Sequence, residues 1–145
     1  MIIRVLKFIV SLVSVQEIKI YTDGSAKRGR GAWAFVTLKN NLVIAESSGQ
    51  AKNTTSLRME IQAAIEGLKH LSTPAKVTVY SDCRVLVDAM NDPVLKPSAV
   101  LHRNLFEDLA NHGKVHTIAW KWVRAHSGQI HNERCDQLCR EARGN

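Results

Sequence analysis

The chain has 145 residues, 45% hydrophobic and 23% charged, with a formal net charge of +7 and three cysteines. That balance suits one globular domain of ordinary size. An odd cysteine count without paired spacing also excludes a disulfide framework, and the basic excess draws polyanions, nucleic acid foremost, with a merely solvated basic surface as the alternative.

The first stretch, residues 1–15, is apolar and carries Arg4 and Lys7 but no acid. Its run from Phe8 to Val15 is too short to span a bilayer, and the small-residue cleavage site of a secretory signal is poor. It is read as an extension, a targeting presequence being the alternative, ahead of a domain spanning residues 16–145. Cys83, Cys135 and Cys139 are expected as reduced thiols. Cys135 and Cys139 lie four apart, but no second pair completes a zinc site.

Glu17 to Thr22 alternates polar and apolar residues and predicts a strand, ended by Asp23-Gly24-Ser25. A small basic loop, Ala26 to Gly31, follows. Ala32 to Leu38 and Leu42 to Ser47 predict two more strands joined by a turn at Asn40-Asn41. The period then changes. Leu57, Ile61, Ala64, Ile65, Leu68 and Leu71 recur at helical spacing, with Thr54, Thr55 and Ser56 as capping hydroxyls ahead and Pro74 behind. Lys76 to Ser81 predicts a strand, Arg84 to Met90 a helix, Ser98 to Asn111 another, Val115 to Val123 a strand and His131 to Arg143 a closing helix. On the last strand Ile118, Trp120 and Trp122 share one face, expected to fill the core, with Lys121 opposite; stacking of the two tryptophans on bases is the alternative. The order β-β-β-α-β-α-α-β-α predicts an α/β fold: an antiparallel meander feeding a mixed sheet, the later strands parallel to the first, with helices packed on it.

The acids fall at telling places on these elements. Asp23 ends the first strand and Asp82 the fourth. If those strands are adjacent, both carboxylates open on the sheet edge where α/β folds place their sites. Glu60, in the first long helix, and Asp136, early in the last, reach in from the flanks. Converging carboxylates need a cation, and hard oxygen ligands select Mg²⁺, or Mn²⁺ in its place. Two such ions about 4 Å apart are a device for phosphodiester cleavage. Four unrelated surface acids are the plain alternative.

At these residues the sequence resembles the type I ribonuclease H family. Tyr21-Thr22-Asp23-Gly24-Ser25, Arg58-Met59-Glu60, Tyr80-Ser81-Asp82, Val123-Arg124-Ala125-His126-Ser127-Gly128 and Asn132-Glu133-Arg134-Cys135-Asp136 look like its five motifs, in family order. The resemblance implies a ribonuclease H-like fold: a five-stranded mixed sheet with helices on both faces. It also implies an endonuclease that cuts the RNA strand of RNA–DNA hybrids by two-metal-ion catalysis, leaving 5′-phosphate and 3′-hydroxyl ends. Asp23, Glu60, Asp82 and Asp136 would be the metal ligands, and His126 a loop residue assisting proton transfer or product release. Gly24 and Ser25 would let the RNA backbone approach, Thr55 and Ser56 would contact phosphate and hybrid, and Arg84 and Asn132 would complete the substrate contacts. The partner is the hybrid rather than a membrane, and a cytoplasmic monomer is expected.

The chain also departs from the family pattern. Ala26-Lys27-Arg28-Gly29 replaces a neutral glycine-rich loop, Ser56-Leu57 replaces tandem asparagines, Arg84 replaces a glutamine and Ala125 a glycine. The basic residues Lys27, Arg28, Arg30 and Arg84 can substitute phosphate attraction for lost neutral hydrogen bonds. The link from Met90 to Ser98 is too short for the basic protrusion of many bacterial members, which implies weaker hybrid affinity and more reliance on Mn²⁺ or on accessory contacts. Rival readings are a non-catalytic hybrid-binding module, a strand-transfer enzyme on the same fold, which this length disfavours, and a domain of a retroelement or phage polyprotein.

Overall fold

The computed structural model of the protein describes residues 17–92 and 102–144. The extension of residues 1–15 and most of the short link before the third helix lie outside them. In chain order the elements are β1 (Glu17–Lys27), β2 (Arg30–Lys39), β3 (Leu42–Ala51), α1 (Ser56–Lys69), β4 (Lys76–Ser81), α2 (Arg84–Asn91), α3 (Arg103–Gly113), β5 (Thr117–Trp122) and α4 (Ile130–Arg143). The five strands form one mixed sheet in the order β3-β2-β1-β4-β5. The meander is antiparallel, and β4 and β5 join parallel to β1, as the element order predicts. No helix among the described residues is long and apolar enough to cross a membrane.

Side-chain alternation along β1 divides the core in two. Ile18 and Ile20 point to the face covered by α1, α2 and α3, where they meet Ile61, Ile65, Leu68, Val77, Val79, Leu86 and Leu109. Each such fully buried aliphatic side chain contributes about 1.5–3 kcal/mol. Tyr21 points to the other face, where Ala32, Ala34, Val36 and Leu38 of β2 receive Cys135, Leu138 and Cys139 of α4. Small residues at 32 and 34 leave room for this helix to sit close to the sheet. Cys135 and Cys139 donate weak S–H bonds to the carbonyls of Tyr21 and Asp23 at 3.3 and 3.4 Å. The two thiols thus seat α4 on β1, and all three cysteines are free.

Two sequence expectations need correction. Asp23-Gly24-Ser25 does not end the first strand. β1 loses its parallel neighbour after Thr22, which pairs with Ser81, yet it stays paired with β2 as far as Lys27 opposite Arg30. The supposed basic loop is therefore a tight hairpin, turning on Arg28 and Gly29, both at positive φ, as a type I′ turn requires. The second correction is Trp122. Trp120 is buried as expected, but Trp122 is 40% exposed. It is the last residue of an edge strand, and the Arg84 guanidinium lies over its ring, 4.1 Å from the centroid.

Candidate active site

The parallel register of β1 and β4 does most to build the site. Thr22 pairs with Ser81 and an aspartate follows each, so Asp23, still paired with β2, and Asp82, just past the end of β4, stand side by side. The third acid arrives from α1. A Cβ on Gly24 would lie 2.2 Å from the Met59 carbonyl carbon and 2.3 Å from the Glu60 nitrogen. Only the absence of a side chain at 24 lets α1 cross β1 this closely, and Glu60 is carried in with it. Thr55 caps this helix by accepting from the Arg58 amide at 3.3 Å. Ser56 fastens it to β1, accepting from the Ala26 amide at 3.0 Å.

Carboxylate oxygens of Asp23, Glu60 and Asp82 lie within 4.8 Å of one another. Asp23 and Glu60 are buried, and Glu60 Oε2 has no hydrogen-bond partner among the described residues. Burial pushes the Asp23 carboxyl from its ordinary 3.8 up to about 7, with Asp82 and Asp136 adding to the push. Glu60 is driven well above its ordinary range, by burial first and then by the charges of Asp23 and Asp82. Burial and mutual repulsion thus favour the protonated form at both Asp23 and Glu60 when no cation is bound. Burial also raises Asp82, opposed by a hydrogen bond from the Asn132 side chain and by the nearby His126.

A divalent cation fits this donor set. Oxygens on opposite sides of an octahedral Mg²⁺ stand about 4 Å apart, which matches the spread of the three carboxylates. The cation would satisfy the unpartnered Glu60 oxygen and remove the repulsion that now favours protonation.

Asp136 stands at the rim, two turns into α4, paired with Arg140 at 3.2 Å. It is close enough for its charge to raise both Asp23 and Asp82. His126 lies exposed between β5 and α4, at φ 52°, with Gly128 at φ 87°. Its charge reaches Asp82.

The expected substrate contacts are placed less uniformly. Gly24 is occupied by helix packing. Ser25 accepts from Arg143 at 2.6 Å. Thr55 and Ser56 remain exposed while capping and tying α1. Arg84 is exposed on Trp122. Asn132 is buried and holds Asp82, its Oδ1 unpartnered among the described residues.

Three supporting residues escaped sequence reasoning. Gln129 caps α4, its Oε1 accepting from the amides of His131 and Asn132 at 2.7 and 2.8 Å. Its Nε2 donates to the Tyr21 hydroxyl at 3.1 Å. Glutamine is not among the favoured capping residues, so no local signal marks it. Trp122 donates its indole N–H to the Asp82 carbonyl at 3.0 Å, and Arg143 reaches Ser25 from the far end of α4. Both contacts join residues remote in sequence.

The sequence profile of the family described as RNase H matches residues 15–143. A protein of Geotalea uraniireducens (strain Rf4) named Ribonuclease H is 38% identical over 138 residues, which cover 87% of this chain and 93% of that protein. Among solved structures, LC9-RNase H1, described as a type 1 RNase H with the type 2 active-site motif, superposes with a TM-score of 0.78 at 23% identity, covering 90% of this chain and 73% of that one. LC11-RNase H1, solved in complex with an RNA/DNA hybrid, gives a TM-score of 0.70 at 23% identity, covering 86% and 95%. At that identity the two structures establish the likeness of fold.

Proposed function

The chain belongs to the RNase H family, and from that premise we propose that it is a metal-dependent endonuclease hydrolysing the RNA strand of RNA–DNA hybrids. The observation that carries the reading is the trio of carboxylates beside the end of β4, where β1 loses its parallel neighbour, with oxygens within 4.8 Å and one buried oxygen unpartnered among the described residues. Three acids held so closely in a partly buried place are costly to the bare fold and are what a hard cation needs.

In this reading Asp23, Glu60 and Asp82 are the inner ligands and Asp136 the outer one. When bound, divalent cations lower the pKa of an attacking water and offset charge on the leaving oxygen. Mg²⁺ is the proposed ion, with Mn²⁺ able to substitute. The chain's own residues prepare the place. Gly24 admits Glu60, Asn132 and Trp122 hold Asp82, and Arg140 balances Asp136 until a cation arrives. His126, exposed on a short loop beside Asp82, is positioned to move a proton to or from the reacting groups or to loosen product. Arg84 faces outward at the same edge as a phosphate contact. A cytoplasmic monomer remains the proposed setting.

Hydrolysis of an end-labelled RNA–DNA hybrid, with Mg²⁺, with Mn²⁺ and with chelator, tests the proposal. Cleavage of the RNA strand that depends on either ion is expected. Binding without cleavage under every metal condition would refute it in favour of a recognition module.

A further inference from the structure

Asp23, Ser25 and Lys27 alternate along β1 and so share one face of the strand. The register sets Arg30 directly opposite Lys27, and Arg28 stands in the turn between them. Arg143, from the last turn of α4, joins them through its bond to Ser25. Lys27, Arg28, Arg30 and Arg143 line an open pocket of about 220 Å³, with no carboxylate in the lining. Lys27, Arg28 and Arg30 make no ion pair among the described residues.

Two features of this hairpin work against folding. Like charges at directly opposed positions of an antiparallel pair repel. Arg28 also sits at φ 56°, a region that Gly and Asn occupy far more readily than a long side chain. The second hairpin of the same meander meets the same backbone requirement with Asn40 and Asn41. A local rule broken twice without a packing gain marks a place used for something other than folding.

The tip is nonetheless held firmly. The Thr54 amide donates to the Gly29 carbonyl at 3.1 Å, and Ser56 holds Ala26 from the other side. The cations therefore stand on fixed backbone. Lys27 lies four strand residues beyond Asp23, roughly 13 Å at about 3.3 Å per residue. A duplex advances about 3.4 Å per base pair. One seated with a phosphodiester at the carboxylates reaches the tip about four base pairs away.

We infer that the β1–β2 hairpin tip is a separate anchoring site for the phosphodiester backbone of the bound nucleic acid, built from Lys27, Arg28, Arg30 and Arg143. The inference rests on the nuclease reading for its ligand but not for its geometry. A polyanion removes the repulsion between Lys27 and Arg30, and each neutralised phosphate releases counterions.

The test is a salt titration of binding to a labelled RNA–DNA hybrid, made in an Asp23→Asn background so that nothing is cut. Lys27→Gln, Arg28→Asn and Arg30→Gln are combined; asparagine suits the positive φ, so the turn survives, and a thermal melt verifies the fold. The slope of log K against log salt should become shallower by about 2 to 3, near 0.9 per lost phosphate contact. Affinity at moderate salt should fall at least about tenfold. A hybrid truncated to end short of the tip should bind the triple variant and its parent alike. Unchanged slope and affinity on the long hybrid would overturn the inference, as would an equal loss on the truncated one. The nuclease reading fails separately, through absence of metal-dependent cleavage by the unmutated chain.

Discussion

Gly24 lies against the backbone of Glu60: a Cβ at position 24 would sit 2.3 Å from the Glu60 nitrogen. Two of the sequence's candidate residues are thus joined by packing rather than by a shared ligand. The glycine expected to admit an RNA backbone also admits a helix, and the distance between β1 and the carboxylate of α1 depends on it. Gly24→Ala should therefore act on both fold and chemistry. Overpacking of this kind costs about 1–3 kcal/mol, and a displacement of about 1 Å at a catalytic group can cost 10²-fold in rate. Urea unfolding together with hybrid cleavage will measure both losses; a variant with parental stability and parental rate would show that α1 has no need of this close approach.

The carboxylate cluster makes the metal-free protein sensitive to alkali rather than to acid. Asp23 has a folded value of about 7 against an ordinary 3.8, so between those two values the folded chain holds a proton that the unfolded chain has released. Glu60 and Asp82 are shifted in the same direction. Their contribution is fully present below the ordinary carboxylate range and is lost as pH rises through the folded values. Stability of the chelated protein should fall between about pH 4 and 8. Mg²⁺ or Mn²⁺ should restore it, more at pH 8 than at pH 5, where protons compete. At a hundred times Kd the gain is about 2.7 kcal/mol, on the order of 10 °C in Tm for a domain of this size. Melting curves that are flat in pH, with no response to metal, would contradict this account of the cluster.

Asp23→Asn separates the chemistry from the fold. The amide keeps the shape of the buried side chain and removes one of the repelling charges. Chelated variant protein at pH 8 should melt at or above the parent, the thermal response to metal should be largely lost, and cleavage of the hybrid should fall below detection. Substantial activity in purified variant would remove Asp23 from the proposed ligand set.

His126 is exposed and stands at φ 52°, so asparagine, which tolerates that backbone, is the informative replacement. His126→Asn should leave thermal stability within about 0.5 kcal/mol, as for other surface changes. Turnover should slow by about 10²-fold or more, in the range of a lost acid–base group, and the slope of rate against pH near neutrality should flatten. A parental turnover number with a parental pH profile would exclude His126 from the mechanism.

Trp122→Phe keeps an aromatic ring under Arg84 and removes the N–H that holds the Asp82 carbonyl at 3.0 Å. The lost hydrogen bond should lower stability by about 1 kcal/mol. Metal affinity, followed by titrated thermal shift, should weaken by up to about tenfold, as when a residue behind a ligand is removed. Were only stability to change, Trp122 would be a structural edge residue and nothing more.

Much of this fold is written in local patterns. The period-2 alternation of Glu17 to Thr22, the 3.6-residue recurrence from Leu57 to Leu68 and the turn residues between them depend on near neighbours along the chain, so the element order and the positions of Asp23, Glu60 and Asp82 are legible in the sequence. Where the parallel strands sit relative to one another is not a local matter. The pairing of Thr22 with Ser81, which sets Asp23 beside Asp82, joins residues far apart in the chain. The same holds for the approach of α1 over Gly24 and for the Gln129 bond to Tyr21. Trp122 shows the limit from the other side: alternation correctly puts it on the face of Trp120, but burial depends on what lies above that face, and over Trp122 it is the exposed Arg84 guanidinium at the start of α2 rather than apolar side chains. The sequence by itself determined which acids were available and on which elements they ride, because periodicity is a property of neighbours. Only the tertiary structure decided that three of them meet, that Gly24 serves a helix and that Lys27 faces Arg30, because those outcomes rest on strand register and close packing between distant segments.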